Sequence, residues 1–471
     1  MTKTAAIIGA GVIGAGWAAR FLLNGWDVRV FDPAPEATRT LEATLARARR
    51  TLPMLYDVAL PLEGRLTLHD SAGAAVAGAD WIQESVGERL ELKHAVLREI
   101  EEAAAPETPI GSSTSGFTPS QLQQDARHPG RLFVAHPFNP VYLLPLVELV
   151  GSAKTDPQTL DSASETLSGL GMHPLPLRGE IDAHVADRLL EAVWRECLWL
   201  VKDGIATTEE IDDAIRMGFG LRWAQMGIFE TYRLAGGEQG MRHFLAQFGP
   251  ALKWPWTKLM DVPDLDAALV ETIAAQSDAQ SGHLSIADLA HRRDDNLVAL
   301  LRALKARDQA AGRVLAAHEE RLRPAPVAAT PMQTQRRTVP VDWTDYNGHM
   351  NEGRYGQVFS DAAETVLAEI GAMGDYVARG FSYFTVETDI RYLAETLAGE
   401  AIFVESRVTQ GAGKKLRLFH EMKRARDGAL LATCDQLLIH VSLSARRACE
   451  PEPEVAQALA RLAAAHAEAI A

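Results

Sequence analysis

Only three cysteines, Cys197, Cys434 and Cys449, occur in 471 residues, far apart and with neither CxxC nor Cys/His ligand spacing. A disulfide framework and a zinc site are therefore not expected, nor any other metal, and the three read as reduced packing residues. No apolar run approaches the roughly 20 residues needed to span a bilayer, so no membrane partner is expected. Blocks of lysine and arginine interleaved with aromatics are also missing, and the formal net charge is −15 at pH 7. Such a surface repels phosphate backbones, which argues against nucleic acid and for small-molecule substrates. The opening MTKTAAIIGAGVIG passes straight into a strand and its turn, leaving no room for the charged and apolar regions of a secretory signal. A cytoplasmic location is the expectation.

What is present is the composition of an ordinary globular protein, 47% hydrophobic and 23% charged. The length exceeds the roughly 250–300 residues at which single cores stop growing, so several domains are expected, and the Pro/Ala-rich RLRPAPVAATPMQ marks a join.

Residues 1–180 alternate strand and helix. AAIIGAGVIGAGWAARFLLNG reads as a buried strand, a GxGxxG turn at Gly9, Gly11 and Gly14, and a helix ending near Gly25. A second strand, DVRVF, leads into Asp32, near the offset of about 20 residues expected for an acid that binds an adenosine ribose. The glycines admit a pyrophosphate to the helix N-terminus, and Asp32 repels a 2′-phosphate, so the expected cofactor is NAD rather than NADP. Strands at RLTLH, ADWIQESV, PIGSST and RLFVAHPF, with the helix LELKHAVLREIEEAA among them, complete a doubly wound α/β pattern of the Rossmann type. Ligands lie beyond the carboxyl ends of such strands, where Glu88, Ser115 and His136 fall. Glu88 and Lys93 join the expected cofactor-binding set.

At GSSTS, AHPFNP and LVELV the chain resembles the 3-hydroxyacyl-CoA dehydrogenase superfamily, over roughly the first 320 residues. The resemblance implies a catalytic group of Ser115, His136 and Glu148. An imidazole titrating near neutrality suits removal of a hydroxyl proton while hydride leaves for nicotinamide, so His136 is the expected base. Glu148 would orient its ring and Ser115 would hold the substrate oxygen.

Residues 181–320 read as an all-α domain, with an apolar stripe at Val185, Leu189, Val193, Cys197 and Val201 and a capping signal, TTEE. In the superfamily such a domain closes over the cofactor domain and carries a dimer contact. Where the family places an asparagine before Arg-Leu-Leu, this chain has Asp187, to be read either as a substrate determinant or as a partner of a neighbouring cation. GFGLRWAQMGIFETYRL is similar to the branch containing carnitine, gulonate and lambda-crystallin proteins. Carnitine carries a quaternary ammonium that forms no classical hydrogen bond, so ring faces and negative charge must recognise it. Phe219, Trp223, Phe229 and Tyr232 are the candidate faces, of which at most two are expected to touch substrate. Asp187 or Glu191 would supply charge, and Arg222 would meet the carboxylate.

Beyond a linker at 321–334, residues 335–448 show a strand, the polar run VDWTDYNGHMNEGRY, one long helix and four strands, followed by a helical tail at 449–471. This α+β order, with Asp345, Asn347, His349, Asn351 and Tyr355 spaced as D-x-N-x-H-x-N-x-x-x-Y, resembles the hotdog-fold thioesterases of acyl-CoA and acyl carriers. Asp345 is the expected base or nucleophile, with Asn347 and His349 positioning it, the water or the carbonyl; a polar loop that merely caps the helix through Asn351 is the plain alternative. Together the resemblances imply a multidomain homodimeric enzyme that oxidises L-carnitine to 3-dehydrocarnitine with NAD and hydrolyses betainyl-CoA to glycine betaine and CoA. A 3-hydroxyacyl-CoA or gulonate-type dehydrogenase joined to a thioesterase, or to a non-catalytic hotdog module, is the alternative.

Overall fold

A computed structural model describes residues 2–235, 240–248, 255–258, 264, 266–323 and 331–468. The chain divides into two units, Met1–Arg49 with Leu62–His318 and Arg50–Pro61 with Glu319–Ala471.

The first unit opens with β1 (Thr4–Ile8), α1 (Val12–Leu22), β2 (Asp27–Phe31), α2 (Ala37–Thr51, whose last turn falls in the second unit), β3 (Leu66–Leu68) and α3 (Ala72–Val76). It continues through β4 (Trp81–Glu84), α4 (Leu90–Ala103), β5 (Ile110–Ser112), α5 (Pro119–Leu122), β6 (Leu132–Pro137), β7 (Leu146–Val150), α6 (Pro157–Gly169) and β8 (His173–Pro176). These eight strands form one sheet in the order β3-β2-β1-β4-β5-β6-β7-β8. All pairings are parallel except β6 with β7. The central strands are buried along their length, as a sheet covered on both faces requires, and α3 and α4 pack on Ile8, Ile82, Ile110 and Val134. The strand order reverses between β1 and β4, where an open α/β sheet offers its ligand crevice.

The helices α7 (Ala186–Lys202), α8 (Thr208–Ala214), α9 (Gly220–Ala235), α10 (Gly240–Phe248), α11 (Ala267–Ser281), α12 (Ile286–Ala306) and α13 (Ala311–Leu322) follow. A small cluster of Val201, Ile211 and Leu269 holds α7, α8 and α11 together. The expected α7 stripe is only half covered: Val201 is 7% exposed, but Val185 is 40% and Leu189 54% exposed. Periodicity marks the apolar face correctly yet carries no information on what covers it.

In the second unit β9 (Met332–Thr338) begins earlier than QRRTVPV suggests, and 324–330 of the expected linker lie outside the described residues. After it come α14 (Glu352–Glu369), α15 (Asp375–Ala378), β10 (Phe381–Tyr392), β11 (Ala401–Ala412), β12 (Lys415–Arg424), β13 (Leu430–Ser442), β14 (Arg447–Ala448) and α16 (Pro453–Glu468). The antiparallel sheet runs β10-β13-β12-β11-β9, with β14 against β13. Tyr355, Phe359, Ala362, Val366 and Ile370 all turn into the core, the first three against Ile402, Val404, Met422 and Leu431. The long helix is thus wrapped by a curled sheet. One polar row crosses the inner face: Ser406 lies opposite His420, and His420 opposite Cys434. The Ser406 hydroxyl is 2.6 Å from His420 Nδ1 and 2.6 Å from the Thr334 hydroxyl. Burial pushes His420 down to about 4, with Gln436 opposing it in part.

Candidate active sites

The turn between β1 and α1 lies at the strand-order reversal. Gly9 has φ +95° and packs so closely on the end of β4 that a Cβ would come within 2.6 Å of the Ser85 carbonyl; at Gly14 a Cβ would stand 1.8 Å from the Gly9 carbonyl. Gly11, at the helix start, has open space before it. Such a cradle admits a phosphate to unpaired helix N–H groups. Asp32 follows β2 and accepts the Ala10 N–H at 2.6 Å and the Ala34 N–H at 2.8 Å. A small cleft of mixed lining adjoins it, with Val30, Leu41 and Leu68 beside Asp32, Thr38 and His69. Glu88 is half-exposed and bonded by the Thr114 hydroxyl, the Lys93 ammonium (3.2 Å) and the Gly116 N–H (3.1 Å). Burial alone would raise its carboxyl; these three donors outweigh burial and hold it below the ordinary range. Lys93 is 1% exposed, and Glu84 (2.9 Å), Glu88 and the Val86 carbonyl use its protons.

The antiparallel pairing of β6 and β7 sets His136 directly opposite Glu148. His136 Nδ1 is 3.0 Å from Glu148 Oε2, and His136 Nε2 is 3.2 Å from the Ser115 hydroxyl on the turn after β5. The other oxygen, Oε1, accepts the N–H groups of Val185 (2.9 Å) and Ala186 (2.8 Å) at the start of α7. Burial alone would raise Glu148; the His136 bond and the two amides override it and keep the carboxylate ionised. An ionised carboxylate can only accept, so Nδ1 carries the proton and the Nε2 lone pair faces Ser115. The arrangement is a base with a fixed tautomer, 5% exposed, beside a hydroxyl.

His184 stands against this relay, its ring 5.4 Å from that of His136. It is fully buried, has φ +51°, and donates from Nε2 to the Thr114 carbonyl at 3.1 Å. Burial and the neighbouring His136 push its titration down, so it stays neutral. Asp187, half-buried in the first turn of α7, has no ion-pair partner among the described residues, so the plain reading of a local pair with Arg188 fails. The four expected aromatics form no single cage: Phe219 packs on Trp223 at 4.5 Å, Tyr232 stacks on Phe244 at 4.7 Å, and Phe229 is 80% exposed. Arg222 lies exposed on α9 beside Trp223 in sequence.

In the second unit the polar run forms a tight loop. Asp345 N–H donates to the His349 carbonyl, Gly348 takes φ +78°, and Asp345 Oδ1 accepts the N–H groups of Asn347 (2.8 Å) and His349 (3.3 Å). Backbone amides, and not the Asn347 and His349 side chains, thus fix the carboxylate. The His349 ring turns to Glu395 instead, 3.4 Å away. Asn351 caps α14 by accepting the Gly353 N–H, so the loop feeds directly into a helix start, a natural site for polarising a carbonyl. Asp361 on that helix is bound to Arg337 at 2.8 Å. Glu364 is exposed.

Three family profiles match the chain: the NAD binding domain of 3-hydroxyacyl-CoA dehydrogenase over residues 4–181, its C-terminal domain over 184–269, and the thioesterase-like superfamily over 339–459. An L-carnitine dehydrogenase/betainyl-CoA thioesterase of Ruegeria pomeroyi is 59% identical, covering 98% of this chain and 96% of its own. The chain belongs to this family of fused enzymes. A Pseudomonas putida L-carnitine dehydrogenase is 50% identical over 64% of this chain and 94% of its own, so the first part also occurs by itself. Among solved structures, the NAD-dependent 5-formyl-3-hydroxy-2-methylpyridine 4-carboxylic acid 5-dehydrogenase matches with a TM-score of 0.55 and 28% identity, over 65% of this chain and 99% of that one.

For a member of the L-carnitine dehydrogenase/betainyl-CoA thioesterase family, several site residues gave little warning in the sequence. Glu84, Thr114 and His184 support the relay and the cofactor cradle, and Glu395 faces the thioesterase loop. Glu84 alone carried a usable signal, an acid at the end of the strand WIQE in a run that reads as buried.

Proposed function

We propose that the first unit oxidises L-carnitine to 3-dehydrocarnitine with NAD, and that the second hydrolyses betainyl-CoA to glycine betaine and CoA. Residues 1–180 bind NAD, 181–320 help enclose the substrate, and 335–448 carry the hydrolase. The relay Ser115–His136–Glu148 carries the dehydrogenase reading, because it presents a basic Nε2 and a hydroxyl side by side at a nucleotide-binding crevice. His136 takes the proton of the 3-hydroxyl, Ser115 holds the same oxygen, and Glu148 stabilises the imidazolium that forms. NAD supplies the hydride acceptor when bound, through the Gly9, Gly11 and Gly14 turn, Asp32 and Glu88. Asp187 provides charge for the ammonium, Trp223, Phe229 and Tyr232 are the candidate ring faces, and Arg222 meets the carboxylate.

In the second unit Asp345 keeps one oxygen on two amides and has the other for water or for the thioester carbon, with Asn347 and His349 flanking it. The amides at the start of α14 polarise the carbonyl; water adds, the C–S bond breaks and CoA leaves as the thiol. The names of the full-length relatives support the two substrates. The test is a pair of assays on the full chain: NADH absorbance with L-carnitine against other hydroxy acids, and thiol release from betainyl-CoA. NADH formed only with 3-hydroxyacyl-CoA would replace the carnitine reading.

The proposed assembly is a homodimer, and the proposed location is the cytoplasm, where three unpaired cysteines stay reduced. Leu189, Leu190 and Trp194 on α7 are each more than half exposed, as are Phe384 and Val386 on the edge strand β10. Apolar surface and an open sheet edge both call for a covering copy. Light scattering at micromolar concentration should give twice 51.2 kDa. A single-chain mass would contradict it.

A further inference from the structure

A cavity of ≈ 350 Å³ opens beside the Asp345 loop, lined by Met350, Glu352, Tyr355, Tyr392 and Glu395 together with Leu393 and Ala394. Its size lies in the lower part of the range of about 300–1,000 Å³ typical of small-ligand sites. Met350 and Tyr355, each 4% exposed, form the floor, and Tyr392, 52% exposed, forms a wall. The two rings meet edge to face, centroids 5.2 Å apart and planes at 88°. Their hydroxyls are turned to backbone: Tyr355 donates to the Ala394 carbonyl at 3.4 Å and Tyr392 to the Glu352 carbonyl at 3.3 Å. The exposed surface of the Tyr392 ring, and not its phenol group, is thereby left for a ligand.

The charge of the lining has one sign. Glu352 and Glu395 contribute carboxylates, and none of the lining residues is a lysine or arginine. The nearby cation, Arg424, donates to the backbone carbonyl of Glu395 at 2.9 Å, and its charge is shared with Glu400 (3.5 Å) and Asp427 (3.3 Å) outside the lining. Arg354 lies over the Trp343 ring. Burial, with Tyr392 adding to it, raises the Tyr355 phenol; burial, with Glu352 adding to it, raises that of Tyr392. Both rings therefore stay neutral.

We infer that this cavity receives the quaternary ammonium head of the acyl group whose thioester is presented to the Asp345 loop, and so sets the acyl specificity of the second unit. This rests on the hydrolase reading given above. A trimethylammonium group has no N–H to donate, so an aromatic wall, Tyr392 backed by Tyr355, and two carboxylates are the chemistry that distinguishes it from a neutral group of the same shape. Glu395 also touches His349, which places the cavity next to the reacting loop.

The test compares betainyl-CoA with 3,3-dimethylbutyryl-CoA, in which carbon replaces the quaternary nitrogen, using the full chain. A cation–π contact of ordinary strength changes affinity by about 2- to 30-fold, so wild type should favour betainyl-CoA by about tenfold or more in kcat/KM. In Y392L that ratio should fall about tenfold, in E395Q severalfold, and in Y392F it should hold, because the ring face is kept. The ratio is the readout, so a general loss of folding or rate cancels. An unchanged ratio in Y392L, or equal loss in Y392F and Y392L, overturns the inference. Equal kcat/KM for the two thioesters in wild type overturns it while leaving the hydrolase reading intact, and hydrolysis of neither removes both.

Discussion

Glu148 and Asp345 are both carboxylates that rest one oxygen on two backbone amides, Glu148 at the start of α7 and Asp345 within the loop that precedes α14. Their surroundings differ. Glu148 is fully buried, and its second oxygen is spent on His136; the amides it holds come from α7, far along the chain. Asp345 is half-buried, and both its amides belong to its own loop. The same anchoring device thus leaves different second oxygens, one paired with another side chain in the first unit and, in the second, one assigned to reaction in the proposal above. The first depends on sheet register over a long sequence separation, and the second on a five-residue turn.

The contrast can be broken by substitution. His136→Ala removes the proposed base while the glycine turn stays intact, so NADH formation from L-carnitine should fall roughly 100- to 10,000-fold with NADH binding retained. Turnover within tenfold of wild type would assign the base elsewhere. Asp345→Asn preserves shape and hydrogen bonding but not the reacting oxygen, and thiol release should fall by about a hundredfold. NADH formation should stay within twofold, because the two sets of site residues belong to different units of the chain; loss of both activities would mean that Asp345 supports folding.

A third measurement sharpens the comparison by pH. His420 has a folded value of about 4 against an ordinary 6.5, so the stability linked to its neutral form is complete above pH 6.5 and is lost as pH falls toward 4. Glu148, with its folded value lowered, keeps its contribution until pH falls through and below the carboxylate range. Between pH 7.5 and 5 the thermal midpoint of the second unit should therefore decline, by an amount worth on the order of 3 kcal/mol at most if titration ran to completion. H420Q should flatten that slope. Equal slopes in wild type and variant would show that His420 does not govern it.

Much of this was legible in sequence because its determinants are local. The GxGxxG turn, the strand ending before Asp32 and the α14 stripe from Tyr355 to Ile370 each occupy one short window, and all appear where their spacing places them. The Ser115, His136 and Glu148 group was legible through family spacing, while the register that joins it is visible only in the folded sheet. His184 was not legible: its role comes from a left-handed backbone that aims it at the Thr114 carbonyl, and no periodic pattern encodes that. Glu395 was likewise hidden, since a strand end and a loop 46 positions earlier meet only after β10 has returned beside α14.

The two amides on Glu148 also make a built-in reporter. Val185 and Ala186 begin the helical layer, so any local opening that lifts this end of α7 off the sheet must break their bonds to the carboxylate that orients His136. Deuterium uptake at those two positions would then time the same event that frees the Glu148 carboxylate, and slow exchange there would measure how long the Glu148–His136 pair stays held in place.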